Sequence, residues 1–220
     1  MSNHPLFFMD IKDIDFLIRE VDHISSHYEK VAKITGSNFN IFRTLNLHTS
    51  EVRLHSSFIA ELLNPHGSHG QDTMFLDLFL KQFGIKDFDK DSVEVEIEKH
   101  LGKINMEYTY GGRIDLIITN KKNQNIIIEN KIYANDQKNQ LLRYHNYDKK
   151  SRLFYLNLNG SPPIKDSVGG LNCPQDFQII SYETDIIYWL ETCRKEAINL
   201  PTIRETITQY INILKRLTNQ

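Results

Sequence analysis

Cysteine is nearly absent: Cys173 and Cys193 are the only two in 220 residues. They form neither a CxxC pair nor a disulfide framework, which suits a reducing cytosol. Charge of one sign is absent too, since 26 Lys and Arg stand against 28 Asp and Glu for a net charge of −2. No global field announces a nucleic-acid or membrane partner, so any basic surface must be local. No apolar run approaches the ~20 residues of a membrane span. The apolar patch Leu6–Met9 lacks a basic start and is too short for a signal peptide. Repeats, low-complexity tracts and convincing linkers are missing as well. What these absences leave is a soluble, cytoplasmic chain. Its 40% hydrophobic and 25% charged content is ordinary, and its length suits one domain over 1–220 with a sizeable core.

The most informative stretch runs from Gly112 to Tyr144. Gly-Arg-Ile-Asp-Leu-Ile-Ile-Thr (112–119) predicts a strand mostly buried on both faces. The polar run Asn120–Asn125 is turn chemistry, and Ile-Ile-Ile-Glu-Asn-Lys (126–131) returns as a second strand. Residues two apart on a strand share a face, so Glu129 and Lys131 point together while Asn130 points away. An antiparallel partner carrying Asp115 brings a second carboxylate beside them. Two carboxylates and a lysine at the end of a buried hairpin are costly unless paired or metal-bound.

Around this hairpin the pattern is helical at both ends. Apolar residues from Ile14 to Val31 predict an amphipathic helix over 11–34, stopped near Gly36; residues 37–49 are ambiguous. Thr49 or Ser50 caps a helix from Glu51 to Leu63, broken at Asn64-Pro65. A third helix starts near Asp72 and ends before Gly84. Val93–Ile97 reads as a strand with one wet face. After a cap at Asn135-Asp136, residues 136–149 read as a helix. Arg152–Asn157 and Phe177–Tyr182 read as strands around a long loop, Gly160–Pro174. Helices follow over 185–196 and from Pro201. The expected class is α/β: a core of about 50–182 with a mixed central sheet flanked by helices, and helical additions at 10–35 and 185–218.

Asp115, then thirteen residues, then Glu129-Asn130-Lys131 resembles the PD-(D/E)XK nuclease superfamily. Gln140-Leu-Leu-Arg-Tyr144 looks like the QxxxY element of its recombination-nuclease and phage-exonuclease branch. Glu51–Ser56, Leu62–Pro65 and His66–Gly70 are similar to the N-terminal signature of one bacterial subfamily. The resemblance spans roughly 50–160, and Ile114 stands where the name-giving proline would be. It implies a restriction-endonuclease-like core and a Mg²⁺- or Mn²⁺-dependent nuclease acting on nucleic acid, in particular DNA. A place in phage defence, restriction or repair would fit the family. No helicase, methylase or specificity domain is attached, so the expected enzyme works alone or beside a partner protein.

The chemistry fits that expectation. Asp115 and Glu129 offer hard oxygen ligands suited to such a cation. By family analogy the Asn130 backbone carbonyl joins them, and Glu51, reaching in from the preceding helix, is a candidate third acid. Lys131 suits a point-charge role at the attacking water or the phosphate. Gln140 and Tyr144, four apart, share a helix face and are expected toward the site. His55, Arg113, Lys138 and Arg143 are candidate substrate contacts, within a local positive patch that includes Lys121, Lys122, Lys149, Lys150 and Arg152. The competing reading of Glu129 and Lys131 is a plain salt bridge, and that of Glu51 a first-turn glutamate favoured by the helix dipole. His66 and His69 lack the further ligands of a zinc site and are expected to bond locally. A non-catalytic binding module is the alternative function. A hydrolase of nucleotides or phosphosugars is disfavoured, because there is no P-loop. The C-terminal amphipathic helix either docks on the core or pairs with another copy.

Overall fold

The computed structural model describes residues 11–219; the apolar patch at 6–9 lies outside them. In chain order the helices before the sheet are α1 (Ile11–Thr35), α2 (Ile41–Thr44), a π-helical turn (Glu51–Ser56), α3 (Ser57–Leu63) and α4 (Met74–Gln82). The strands are β1 (Glu94–His100), β2 (Arg113–Thr119), β3 (Asn125–Lys131), β4 (Arg152–Asn157) and β5 (Gln178–Ser181). Helix α5 (Gln140–Tyr147) separates β3 from β4, and α6 (Lys165–Val168) separates β4 from β5. A second π-helical turn (Tyr182–Ile186) leads into α7 (Ile187–Glu196) and α8 (Pro201–Leu217).

The sheet order is β1-β2-β3-β4-β5. The first three strands form an antiparallel meander; β4 then lies parallel to β3, and β5 parallel to β4. Parallel neighbours need a crossover, which α5 and the segment containing α6 supply. This is a mixed sheet flanked by helices, an α/β restriction-endonuclease-like fold.

Alternation along the strands divides the core in two. Leu116, Ile118, Ile126 and Ile128 face a layer built from α3, α4, α7 and α8, where Phe75, Phe79 and Trp189 are fully buried. Ile117 and Ile127 face the other side, against Leu141 and Tyr144 of α5. Burying each such isoleucine or leucine contributes about 1.5–3 kcal/mol, so the central hairpin is held from both sides. The chain enters β2 through Gly111 and Gly112, at φ 84° and 109°. A Cβ at Gly111 would sit 2.2 Å from the Lys103 carbonyl oxygen, so the turn needs glycine.

Several boundaries differ from expectation. The ambiguous stretch holds α2, capped by the Asn40 side chain on the Phe42 and Arg43 amides. The helix expected from Glu51 opens as a wider turn, with the His55 amide bonded back to the Ser50 carbonyl. The helix expected over 136–149 is only Gln140–Tyr147. Asp136 is no cap: its carboxylate accepts from the Tyr155 hydroxyl and the Ile164 amide, tying a loop to the next crossover. The long loop after β4 contains α6. Helix α8 docks on α7 and α2, which settles its role as a core element.

Candidate active site

Strand geometry assembles the site. Glu129 and Lys131 leave β3 on one face, while Asn130 turns to the other. There Asn130 Oδ1 accepts from the Tyr182 hydroxyl (2.8 Å), and its Nδ2 donates to Ser56 Oγ (3.0 Å). Leu116 pairs with Ile128, so the next step along the ladder sets Asp115 across from Glu129. Asp115 Oδ2 accepts the Asn130 main-chain N–H at 2.8 Å. Lys131 Nζ lies 2.7 Å from Glu129 Oε1. Glu129 is 1% exposed, so that ion pair stands in for the water its oxygens have lost.

Electrostatics follow from this burial. Burial, then the nearby Asp115 charge, push the Glu129 carboxyl well above the ordinary range, with Lys131 pulling the other way. Asp115 is also raised, chiefly by burial, against the downward pull of the Asn130 N–H. Burial alone would lower the Lys131 ammonium, but attraction to Glu129 outweighs it and the net shift is upward. An idle buried ion pair at best breaks even against apolar packing. Two hard carboxylates side by side, with a single ammonium between them to offset their charge, therefore fit a divalent cation.

These groups open on a cleft of about 520 Å³. Its walls include Glu51, Glu98, His100, Lys103, Arg113 and Gln140. Glu51 reaches it from the π-helical turn, but its Oε1 is engaged: it accepts the N–H groups of Ile132, Tyr133 and Ala134 at 2.6, 2.9 and 2.9 Å. Among the described residues no cluster of three or more His, Cys, Asp or Glu side chains is arranged to hold a metal ion. Through Oε1, Glu51 thus clamps the chain just after Lys131.

Other expected residues are placed differently. His55 is a correction: in the wider turn it no longer stacks over Glu51, and its ring is fully buried. Its Nδ1 contacts the Tyr210 hydroxyl (3.0 Å) and its Nε2 the His48 carbonyl (3.1 Å). Arg143 is another correction. Its guanidinium is buried, spent on the Gly111 and Lys138 carbonyls and on Gln137 Oε1, so it braces two loops and faces no substrate. Gln140 lines the cleft, with its Oε1 accepting from the Gln137 amide and its Nε2 donating to the Tyr144 hydroxyl. That buried hydroxyl donates to the Arg113 carbonyl, so Tyr144 positions the start of β2 and meets no solvent.

Arg113 and Lys138 are exposed, Arg113 paired with Glu98 at 2.8 Å and Lys138 over the Tyr108 ring. The hairpin lysines expected in a basic patch lie past the far end of β2, which is about 13 Å from Asp115 at ~3.3 Å per residue. There Lys121 pairs with Asp91 and Lys122 with Asp89. His69 bonds within its own loop, as expected.

Glu98 was not foreseen. It interrupts the β1–β2 ladder opposite Asp115, at φ 58°, a left-handed conformation uncommon outside glycine and concentrated at functional sites. Only the strand register, which local patterning does not reveal, brings it there.

Fold and site together define a restriction-endonuclease-like protein, with an acid on one hairpin strand and an acid–x–lysine triplet on the next. The chain belongs to the PD-(D/E)XK nuclease superfamily, whose family profile matches residues 39–212, most of its length. Neither a search of curated proteins nor one of solved structures found a match. Among the described residues no helix is long and apolar enough to cross a membrane.

Proposed function

We propose that this chain is a divalent-metal-dependent nuclease that hydrolyses phosphodiester bonds of DNA with water as the nucleophile. The carrying observation is Glu129: a fully buried carboxylate ion-paired with Lys131 and set beside the Asp115 carboxylate, on the wall of an open cleft. Asp115 and Glu129 would hold Mg²⁺ or Mn²⁺, with the Asn130 main-chain carbonyl as a further ligand. The ion supplies charge neutralisation at the phosphate and a more acidic water. Lys131, kept protonated by Glu129, contributes a fixed positive charge for phosphate oxygens as negative charge builds on them. Glu51 holds the main chain behind Lys131, and Tyr144 with Gln140 holds the start of β2, so the two strand ends keep their spacing. Arg113 and Lys138 at the surface steer the nucleic-acid backbone.

The QxxxY branch, a single nuclease unit spanning the chain and a cytoplasmic setting in phage defence belong to the same proposal. The test is a nuclease assay on linear and circular DNA, single- and double-stranded, with Mg²⁺, Mn²⁺ or EDTA. Expected is metal-dependent cleavage that Glu129→Ala and Lys131→Ala abolish. DNA bound yet intact with every metal, unaffected by changing the acids, would instead support a binding module.

A further inference from the structure

Helix α1 is the element that the nuclease reading leaves without a role. Over its 25 residues, about 37 Å at 1.5 Å per residue, no other described element packs extensively against it. Ile14, Leu17, Val21, Ile24, Tyr28 and Val31 are between 41% and 69% exposed. Their spacing alternates three and four, the a/d seam of a coiled coil. A folded chain in water rarely leaves so long an apolar stripe open. Among the described residues both sheet faces are already covered, so neither offers α1 a place to dock.

The seam is complementary to itself when reversed. It is a palindrome about the point between Asp22 and His23, so in an antiparallel pair Ile14 meets Val31 of a second copy, Leu17 meets Tyr28, and Val21 meets Ile24. Charge agrees with this direction. The first half carries Asp13, Asp15, Glu20 and Asp22 against Lys12 and Arg19, while the second carries Lys30 and Lys33 against Glu29. A parallel pair would set the acidic halves together.

We infer that α1 is a homodimerisation helix, pairing antiparallel with α1 of a second copy. The inference stands apart from the nuclease proposal, because its readout is mass and not cleavage. Light scattering of the full chain during size exclusion is expected to give a dimer, and Leu17→Asp/Ile24→Asp a monomer. Trp189, the one tryptophan and fully buried, reports by its emission that the core of the variant remains folded. Direction is read by oxidation in a Cys173→Ser background. Ile14→Cys with Val31→Cys is expected to cross-link, and Ile14→Cys alone not to.

Four results would overturn the inference. They are a monomeric wild type at its highest soluble concentration, a dimer that persists in the folded double-Asp variant, cross-linking of the chain that carries Ile14→Cys without Val31→Cys, or α1-dependent flotation with anionic vesicles. The last would assign the stripe to a lipid surface.

Discussion

At the scale of single residues, one carboxyl group concentrates the chemistry. Glu129 is held where its charged form is disfavoured, and only Lys131 offsets that cost. Because its folded pKa is raised, the folded state binds the proton more tightly than the unfolded chain does. Its contribution to stability is therefore present at low pH and lost as pH rises through the shifted value. Without divalent ions, Glu129→Gln is expected to flatten the fall in melting temperature between acid and mildly alkaline pH, leaving the part due to Asp115. With Mg²⁺ or Mn²⁺, wild type is expected to gain melting temperature and the variant not. Differential scanning fluorimetry over pH, with and without metal, checks both. A metal-induced gain retained by Glu129→Gln would remove that carboxylate from the cation site.

At the scale of elements, the π-helical turn after Ser50 separates two neighbours that sequence spacing would have placed together. Glu51 goes to the cleft and His55 to the core. Burial lowers the His55 pKa from 6.5 to about 4, partly offset by the His48 carbonyl and Glu51. In that window the unfolded chain takes up a proton that the folded one refuses, so stability falls as pH drops from 6.5 toward about 4. The full shift corresponds to about 3 kcal/mol at about 1.4 kcal/mol per unit. His55→Gln, which cannot titrate, is expected to lose less stability than wild type over that interval. Urea denaturation at several pH values is the measurement, and parallel pH profiles would contradict the assignment. The same bent turn sends the His55 ring into the core, where it meets Tyr210.

At the scale of the whole molecule, the two terminal amphipathic helices are used differently. Helix α8 buries Ile207, Tyr210, Ile211 and Leu214, and its Tyr210 hydroxyl meets His55 across the chain. Helix α1 keeps its apolar side outward. Leu214→Ala is accordingly expected to cost about 2–5 kcal/mol of stability, measured by chemical denaturation, without changing the assembled mass. Substitutions on α1 are expected to change mass and spare the core. The periodicity of both helices is alike, so their patterns alone do not tell docking from display.

Hydrophobic period and turn chemistry already determined the mixed α/β class, the central hairpin and the pairing of Glu129 with Lys131 on one face, because a strand's side chains alternate whatever surrounds them. The motif around Asp115 likewise pointed to the nuclease superfamily. Only the folded chain decided that Glu98 stands against Asp115, that Glu51 clamps three amides, that Arg143 and His55 are buried, and that the hairpin lysines are neutralised at the far end. Each of these depends on register, on a wider helical turn, or on partners distant in sequence, and no local pattern encodes which remote group will arrive.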